Sequence, residues 1–101
     1  MDFSDIVGFD WDDDNLYKNI AKHDVYDMEA EQVFFNHPLI VKRDVKHSQD
    51  EERYVALGRT NHERLLFVSF ITRTKKIRVI SARDMTNKEV RVYEEYQKRN
   101  S

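Results

Sequence analysis

Arginine and histidine are the residues whose placement in this chain invites chemistry. Arg53, Arg73, Arg78 and Arg83 lie in or beside its three most strand-like segments. A guanidinium stays charged and presents a planar fork of donors that matches phosphate oxygens. Several of them on one rim would hold a nucleic-acid backbone, or steady the charge on a phosphorus under attack. Over residues 53–59, period two puts Arg53, Val55, Leu57 and Arg59 on one face, with the arginines at its two ends. Lys22 and His23 close a segment of helical spacing. A helix C-terminus favours a cation, and imidazole is the usual proton carrier in phosphodiester cleavage. That makes His23, Arg53 and Arg83 the candidate catalytic set, with Lys22, Arg73 and Arg78 as phosphate-binding candidates. Glu52 and Tyr93 stand next as supporting groups. The plainer alternative pairs each arginine with an acid of the same chain and leaves His23 as a helix end. His37, His47 and His62 sit in loop-like contexts and are expected to be solvated.

The chain offers little else. It has no cysteine, so thiolate metal sites, disulfides and cysteine nucleophiles are excluded. There is no His-x-His or His-Glu-x-x-His spacing for zinc. Asp12-Asp13-Asp14 is expected to cap a helix, because successive residues at a helix start seldom converge on one ion. No Ser/His/Asp constellation, phosphate-binding loop or dinucleotide fingerprint is present. Neither metal nor cofactor is expected.

These residues must be positioned by 101 residues, of which 40% are hydrophobic and 36% charged. That length suits one domain, 1–101, with a modest core built from six Phe, five Tyr and one Trp. Charge is divided along the chain. Residues 1–52 hold 14 Asp/Glu and 5 Lys/Arg, whereas residues 53–101 hold 5 and 12. The imbalance suggests a polyanion-binding surface in the second half, or acidic helices paired with a basic sheet. The acidic N-terminus is unlike a signal peptide, and no apolar run is long enough for a membrane helix. A cytoplasmic protein without membrane association is expected.

Ile6 to Phe9, with Trp11, predicts a first strand. Leu16, Ile20 and Ala21 predict a helix to about His23, and Met28, Ala30, Val33 and Phe34 a second from Asp27 to Phe35, stopped before Pro38. Leu39 to Val41 predicts a strand, and His47 to Glu52 a loop. Strands follow at Arg53–Arg59, Leu65–Arg73 and Lys76–Ala82. The Leu65–Arg73 segment is apolar on both faces and is expected in the sheet interior. Thr86 and Glu89 form a capping box for a terminal helix reaching about Lys98. The order β-α-α-β-β-β-β-α predicts an α+β domain with helices on one antiparallel sheet.

Taken together, several segments resemble the BrnT family of type II toxins. They are Phe9-Asp-Trp-Asp12, Asn19-Ile-Ala-Lys-His23, Glu52-Arg53 leading to Gly58, Arg64-Leu-Leu-Phe-Val, Ile77-Arg-Val-Ile-Ser-Ala-Arg83, Thr86-Asn-Lys-Glu89 and Tyr93. The resemblance spans about residues 9–96, and the Ile77–Arg83 stretch with Thr86, Glu89 and Tyr93 is its most specific part. It implies a RelE-like fold and a metal-independent endoribonuclease that blocks translation. It implies a BrnA-like ribbon-helix-helix antitoxin as partner, an oligomeric toxin–antitoxin complex, and contact with operator DNA only through that antitoxin. The family's histidine matches His23, and its sheet arginines match Arg53, Arg73, Arg78 and Arg83. Two positions depart from the family pattern. Asp24 stands where Lys-His is usually followed by glycine, and Tyr26 where a serine usually caps the next helix, so Asp27 is expected to take over the cap. The competing function is a non-enzymatic, toxin-like binding module that serves only in antitoxin or repressor assembly.

Overall fold

The structure is a computed structural model that describes residues 4–100. Its strands are β1 (Gly8–Asp10), β2 (Ile40–Arg43), β3 (Tyr54–Arg59), β4 (Leu65–Arg73) and β5 (Lys76–Asp84). Its helices are α1 (Asp13–His23), α2 (Asp27–Val33) and α3 (Asn87–Arg99). The fold is α+β, in the expected element order. The strands lie side by side as β1-β5-β4-β3-β2, so the doubly apolar β4 is central. All pairings are antiparallel except β1 with β5, which is parallel and makes the sheet mixed. The parallel edge follows from the route of the chain: α1 and α2 carry it from β1 at one edge to β2 at the other.

Local chemistry explains the boundaries. Asp12 caps α1 by accepting a hydrogen bond from the Asp14 amide at 2.9 Å. At α2 the cap position is Tyr26, not Asp27, and the phenol caps nothing. The Glu29 carboxylate reaches back to the Tyr26 amide at 3.2 Å and supplies half a capping box. Thr86 and Glu89 form the complete box at the start of α3. Arg53 falls just outside β3, because the turn Val45–His47 and Ser48 draw the chain aside there. Ser48 Oγ accepts from the Arg53 amide at 2.9 Å and donates to the Asp44 carbonyl at 2.6 Å.

Val25, Ala30 and Val33 pack on Ala56, Leu66, Val68, Phe70, Ile77, Val79 and Ala82 to form the core. Gly58 is where α2 comes closest to the sheet, against Val33. On the opposite face α3 lies over one end of the sheet, against β3, and Val92, Leu57 and Phe67 line a shared depression there. The rest of that face is open in that no helix among the described residues covers it, although residues 46–53 border Ile71 and Ile80 there and Ser69 and Ile71 are buried.

Candidate functional site

Strand β5 does not keep a simple alternation. Opposite β4, Ser69 pairs with Ser81 but Phe70 pairs with Val79, so Ile80 is an extra residue. Alternation alone would place Arg78 and Arg83, five residues apart, on opposite faces. The bulge resets the phase. Arg78 stands opposite Ile71 and Arg83 opposite Phe67, and Phe67, Ile71 and Arg73 share one face of β4. Arg53 borders the same depression as Ile71 and Ile80. All four arginines therefore lie on the open face, away from the core.

They form two groups, roughly 15 Å apart at the usual rise per strand residue. Arg53, Arg73 and Arg78 gather at the end where β4 turns into β5. Arg73 grips Glu51 with two donors, Nη2 at 2.7 Å and Nε at 3.3 Å. Arg78 Nε is buried 3.4 Å from Asp10 Oδ2, without a hydrogen bond. Arg53 has no ion-pair partner among the described residues. Arg73 above all, through its hydrogen bond, holds the Glu51 carboxyl below the usual carboxylate range, and the charges of Arg78 and Arg53 add to the effect.

At the other end, the Arg83 guanidinium lies 4.0 Å over the Phe67 ring. It donates to both oxygens of Glu89, at 2.8 and 3.1 Å, and to the Asp84 carbonyl at 3.0 Å. Arg83 lowers the Glu89 pKa, chiefly by its hydrogen bond. Three of the five guanidinium donors are thus engaged, and the Nε–H and one Nη2–H remain for an incoming anion.

His23 ends α1 at this same end of β5. Beyond the three residues of β1 the edge of β5 has no strand partner among the described residues, and the buried Asn19 supplies an acceptor to the Ala82 amide at 3.1 Å. Arg64, just before β4, then ties three segments together. Its Nη2 donates to the His23 carbonyl at 3.2 Å and its Nη1 to the Asp24 carbonyl at 2.8 Å. Nη1 also reaches Glu29, at 3.1 Å, and Nε reaches Asp84 at 2.7 Å. Arg64 holds the Asp84 carboxyl below the ordinary range, chiefly by this hydrogen bond, and the nearby His23 contributes charge in the same direction. The imidazole itself makes no hydrogen bond among the described residues.

The expected residues are therefore not one cluster. His23, Lys22 and Arg83 stand at one end of the sheet, and Arg53, Arg73 and Arg78 at the other. Glu52 accepts from the Tyr54 hydroxyl at 2.8 Å and lies 3.6 Å from Arg43. Tyr93 is 1% exposed and donates to the Pro38 carbonyl at 2.7 Å, so its hydroxyl fastens α3 to the chain entering β2. Burial raises its pKa. Arg64 is the candidate-site residue that sequence reasoning left aside. The available signal was an arginine just ahead of the central strand, able to satisfy the open carbonyls of a nearby helix end. His47 is solvated as expected, with its side chain 56% exposed, and it pairs with Asp44 at 2.8 Å. Among the described residues, no three His, Asp or Glu side chains are grouped to hold a metal ion, and no helix is long and apolar enough to cross a membrane.

Comparison with known proteins decides the family. The model of the ribonuclease toxin BrnT of type II toxin–antitoxin systems matches residues 11–89. The chain belongs to the BrnT family. It is thus a member of a family of ribonuclease toxins, and the match takes in His23 and all four sheet arginines. The fold agrees with that of the Brucella abortus ribonuclease toxin BrnT, whose crystal structure matches at a TM-score of 0.58 and 24% identity. The match covers 80% of this chain and 99% of the Brucella BrnT chain. No curated protein sequence proves similar to this one.

Proposed function

We propose that this BrnT-family chain cleaves RNA without a metal ion and thereby stops translation. A BrnA-like ribbon-helix-helix antitoxin neutralises it in a cytoplasmic, oligomeric complex that touches operator DNA only through the antitoxin. The observation that carries the reading is the bulge at Ile80, which turns Arg78 and Arg83 onto the same open face as Arg53 and Arg73. A strand crossing that face passes from one arginine group to the other, and the reacting phosphate lies where it rounds the end of β5, between Arg83 on the open face and His23 on the helix side.

The reaction is a transesterification. The ribose 2′-oxygen attacks the adjacent phosphorus while its proton passes to His23. The bond to the 5′-oxygen breaks, and that oxygen takes up a proton. The products are a 2′,3′-cyclic phosphate and a free 5′-hydroxyl. The two open donors of Arg83 stabilise the charge that grows on the non-bridging oxygens. Lys22, next to His23, adds positive charge, and Arg53, Arg73 and Arg78 hold the flanking backbone by phosphate contacts.

The test is cleavage of an RNA substrate in EDTA by the purified chain. His23→Ala should lower the rate about 10²–10⁴-fold, the usual share of a positioned proton carrier. Removing His23 should also flatten one limb of the pH–rate profile, whereas Arg83→Ala should scale the profile down without changing its shape. Undiminished cleavage by the His23 variant overturns the mechanism. A second reading follows from the carboxylates already seated on Arg73, Arg78 and Arg83: a face that accepts carboxylates suits an acidic segment of an antitoxin. A chain that binds antitoxin yet leaves RNA intact in this assay is the non-enzymatic module.

A further inference from the structure

We infer that Glu51 is a displaceable internal ligand that occupies the Arg53–Arg73–Arg78 cluster in the RNA-free protein and gives way to a backbone phosphate. The inference rests on the RNA-binding reading of the open face and concerns what fills that face when RNA is absent.

Three carboxylates sit on the arginines of the two groups, and only one is free to leave. Asp10 belongs to β1, whose ladder with β5 fixes it in register opposite Arg78. Glu89 has a second duty, because the oxygen that meets Arg83 also accepts the Thr86 amide at 2.9 Å and completes the cap of α3. Glu51 belongs to no helix or strand. Its only hydrogen-bond partner among the described residues is Arg73. Both side chains are about half exposed, at 47% and 48%.

The segment that carries Glu51 is held at its base and open at its tip. Ser48 Oγ bridges the Asp44 carbonyl, the Arg53 amide and the Arg53 carbonyl, and closes residues 44–53 into a loop. Glu51 lies between these anchor points, so a change of side-chain rotamer withdraws it without unfolding the loop. Its two oxygens meet two donors of Arg73, the arrangement that a phosphate also adopts toward a guanidinium. The unpaired Arg53 and the neighbouring Lys46 border the same depression. An entering phosphate must therefore outcompete Glu51 for Arg73. That competition weakens the binding of short anions and favours ligands that reach the second arginine group as well.

The experiment measures affinity for two probes: inorganic pyrophosphate, and a 2′-O-methyl RNA that cannot be cleaved through its 2′-oxygen. Glu51→Gln should tighten pyrophosphate binding about two- to fivefold, the scale of an exposed ion pair. Asp50→Asn changes the net charge equally and borders the same depression, but Asp50 makes no ion pair with an arginine. It should tighten binding less. Arg73→Ala should weaken binding and abolish the gain from Glu51→Gln. The inference is overturned if Glu51→Gln leaves pyrophosphate affinity unchanged, or tightens it no more than Asp50→Asn. If pyrophosphate tightens as expected while the RNA probe binds neither protein, the RNA reading of the face fails and the role of Glu51 stands.

Discussion

Arg64 donates from Nη2 to the backbone carbonyl of His23, so the residue we propose for proton transfer is held by its main chain to the start of the central strand. The remaining donors of the same guanidinium go to the Asp24 carbonyl, Glu29 and Asp84. All five N–H groups of Arg64 are thereby in use, and none is left for substrate. Arg64 acts on the site by position alone.

Arg64→Ala should therefore destabilise the protein by about 2 kcal/mol, because it strands a helix-end carbonyl pair and the half-buried Glu29 together. Arg73→Ala removes a pair that is half exposed on both sides and should cost far less. Urea denaturation of the two variants makes the comparison. Arg64→Lys should recover little, since an ammonium cannot span four partners in one plane. Equal midpoints for Arg64→Ala and Arg73→Ala would remove the clamp from the account.

The same carboxylates set the acid response. Asp84 lies below its ordinary value near 3.8, chiefly through its hydrogen bond to Arg64, and Glu89 below its ordinary value near 4.5, chiefly through Arg83. A carboxyl whose pKa is lower in the folded state contributes stability above the unfolded pKa, and that contribution is lost as pH falls through the folded value. Stability should hold at neutral pH and fall across the acid range below about pH 4.5. In Glu89→Gln the decline should be shallower, from a lower starting point, as followed by circular dichroism during acid titration. A Glu89→Gln curve parallel to that of the wild type would mean that Glu89 titrates alike in the folded and unfolded chains.

Much of this was legible in the residues, and the exceptions have physical causes. The interior place of β4 shows in its apolar run, and the cap of α3 in Thr86 and Glu89, because burial and capping leave composition signals. The shared face of Arg78 and Arg83 does not show. Ile80 bulges without the glycine that would have marked it, and strict alternation predicts opposite faces. The parallel pairing of β1 is also hidden, since three residues carry no directional signal and the crossover through α1 and α2 decides it. Tyr93 could be seen as a packing residue, but its bond to Pro38 joins positions 55 apart. Long-range partners of that kind, Arg64 with His23 among them, arise from topology, and no local spacing announces them.

Asp24 is a natural place for a stabilising change. It ends α1 in the left-handed region, at φ 53° and ψ 39°, where a side chain is disfavoured and glycine is at ease. Every hydrogen bond it makes uses main-chain atoms: its amide donates to Ile20 at 3.1 Å, and its carbonyl accepts from Arg64. Its carboxylate also faces the negative end of the α1 dipole. Asp24→Gly should keep the cap and stabilise by roughly 0.5–1 kcal/mol, net of the added freedom of the unfolded chain. A thermal melt checks it, and cleavage should be retained because the His23 carbonyl keeps its donor. A lower melting temperature would show that the aspartate has a partner in solution that outweighs its backbone cost.

Gly58 offers the opposite experiment. It lies in β3 under α2, and a Cβ built there falls 2.5 Å from Val33 Cγ1 and 3.3 Å from the Val33 carbonyl oxygen. The first contact is impossible without movement. Val33 is completely buried in the core, where side chains are close-packed, and the second contact is with backbone. The cause is the close approach of helix and strand, because Gly58 does not adopt a positive φ. Gly58→Ala should therefore destabilise by about 1–3 kcal/mol, the usual cost of overpacking a well-filled core. Shortening the opposing side chain tests the cause. Val33→Ala alone should also destabilise, by opening a cavity, yet Gly58→Ala with Val33→Ala should be more stable than the sum of the two losses predicts, since the new methyl enters the space the valine leaves. Strictly additive losses in that double-mutant cycle would place the strain elsewhere, with the 3.3 Å approach to the Val33 carbonyl as the remaining source.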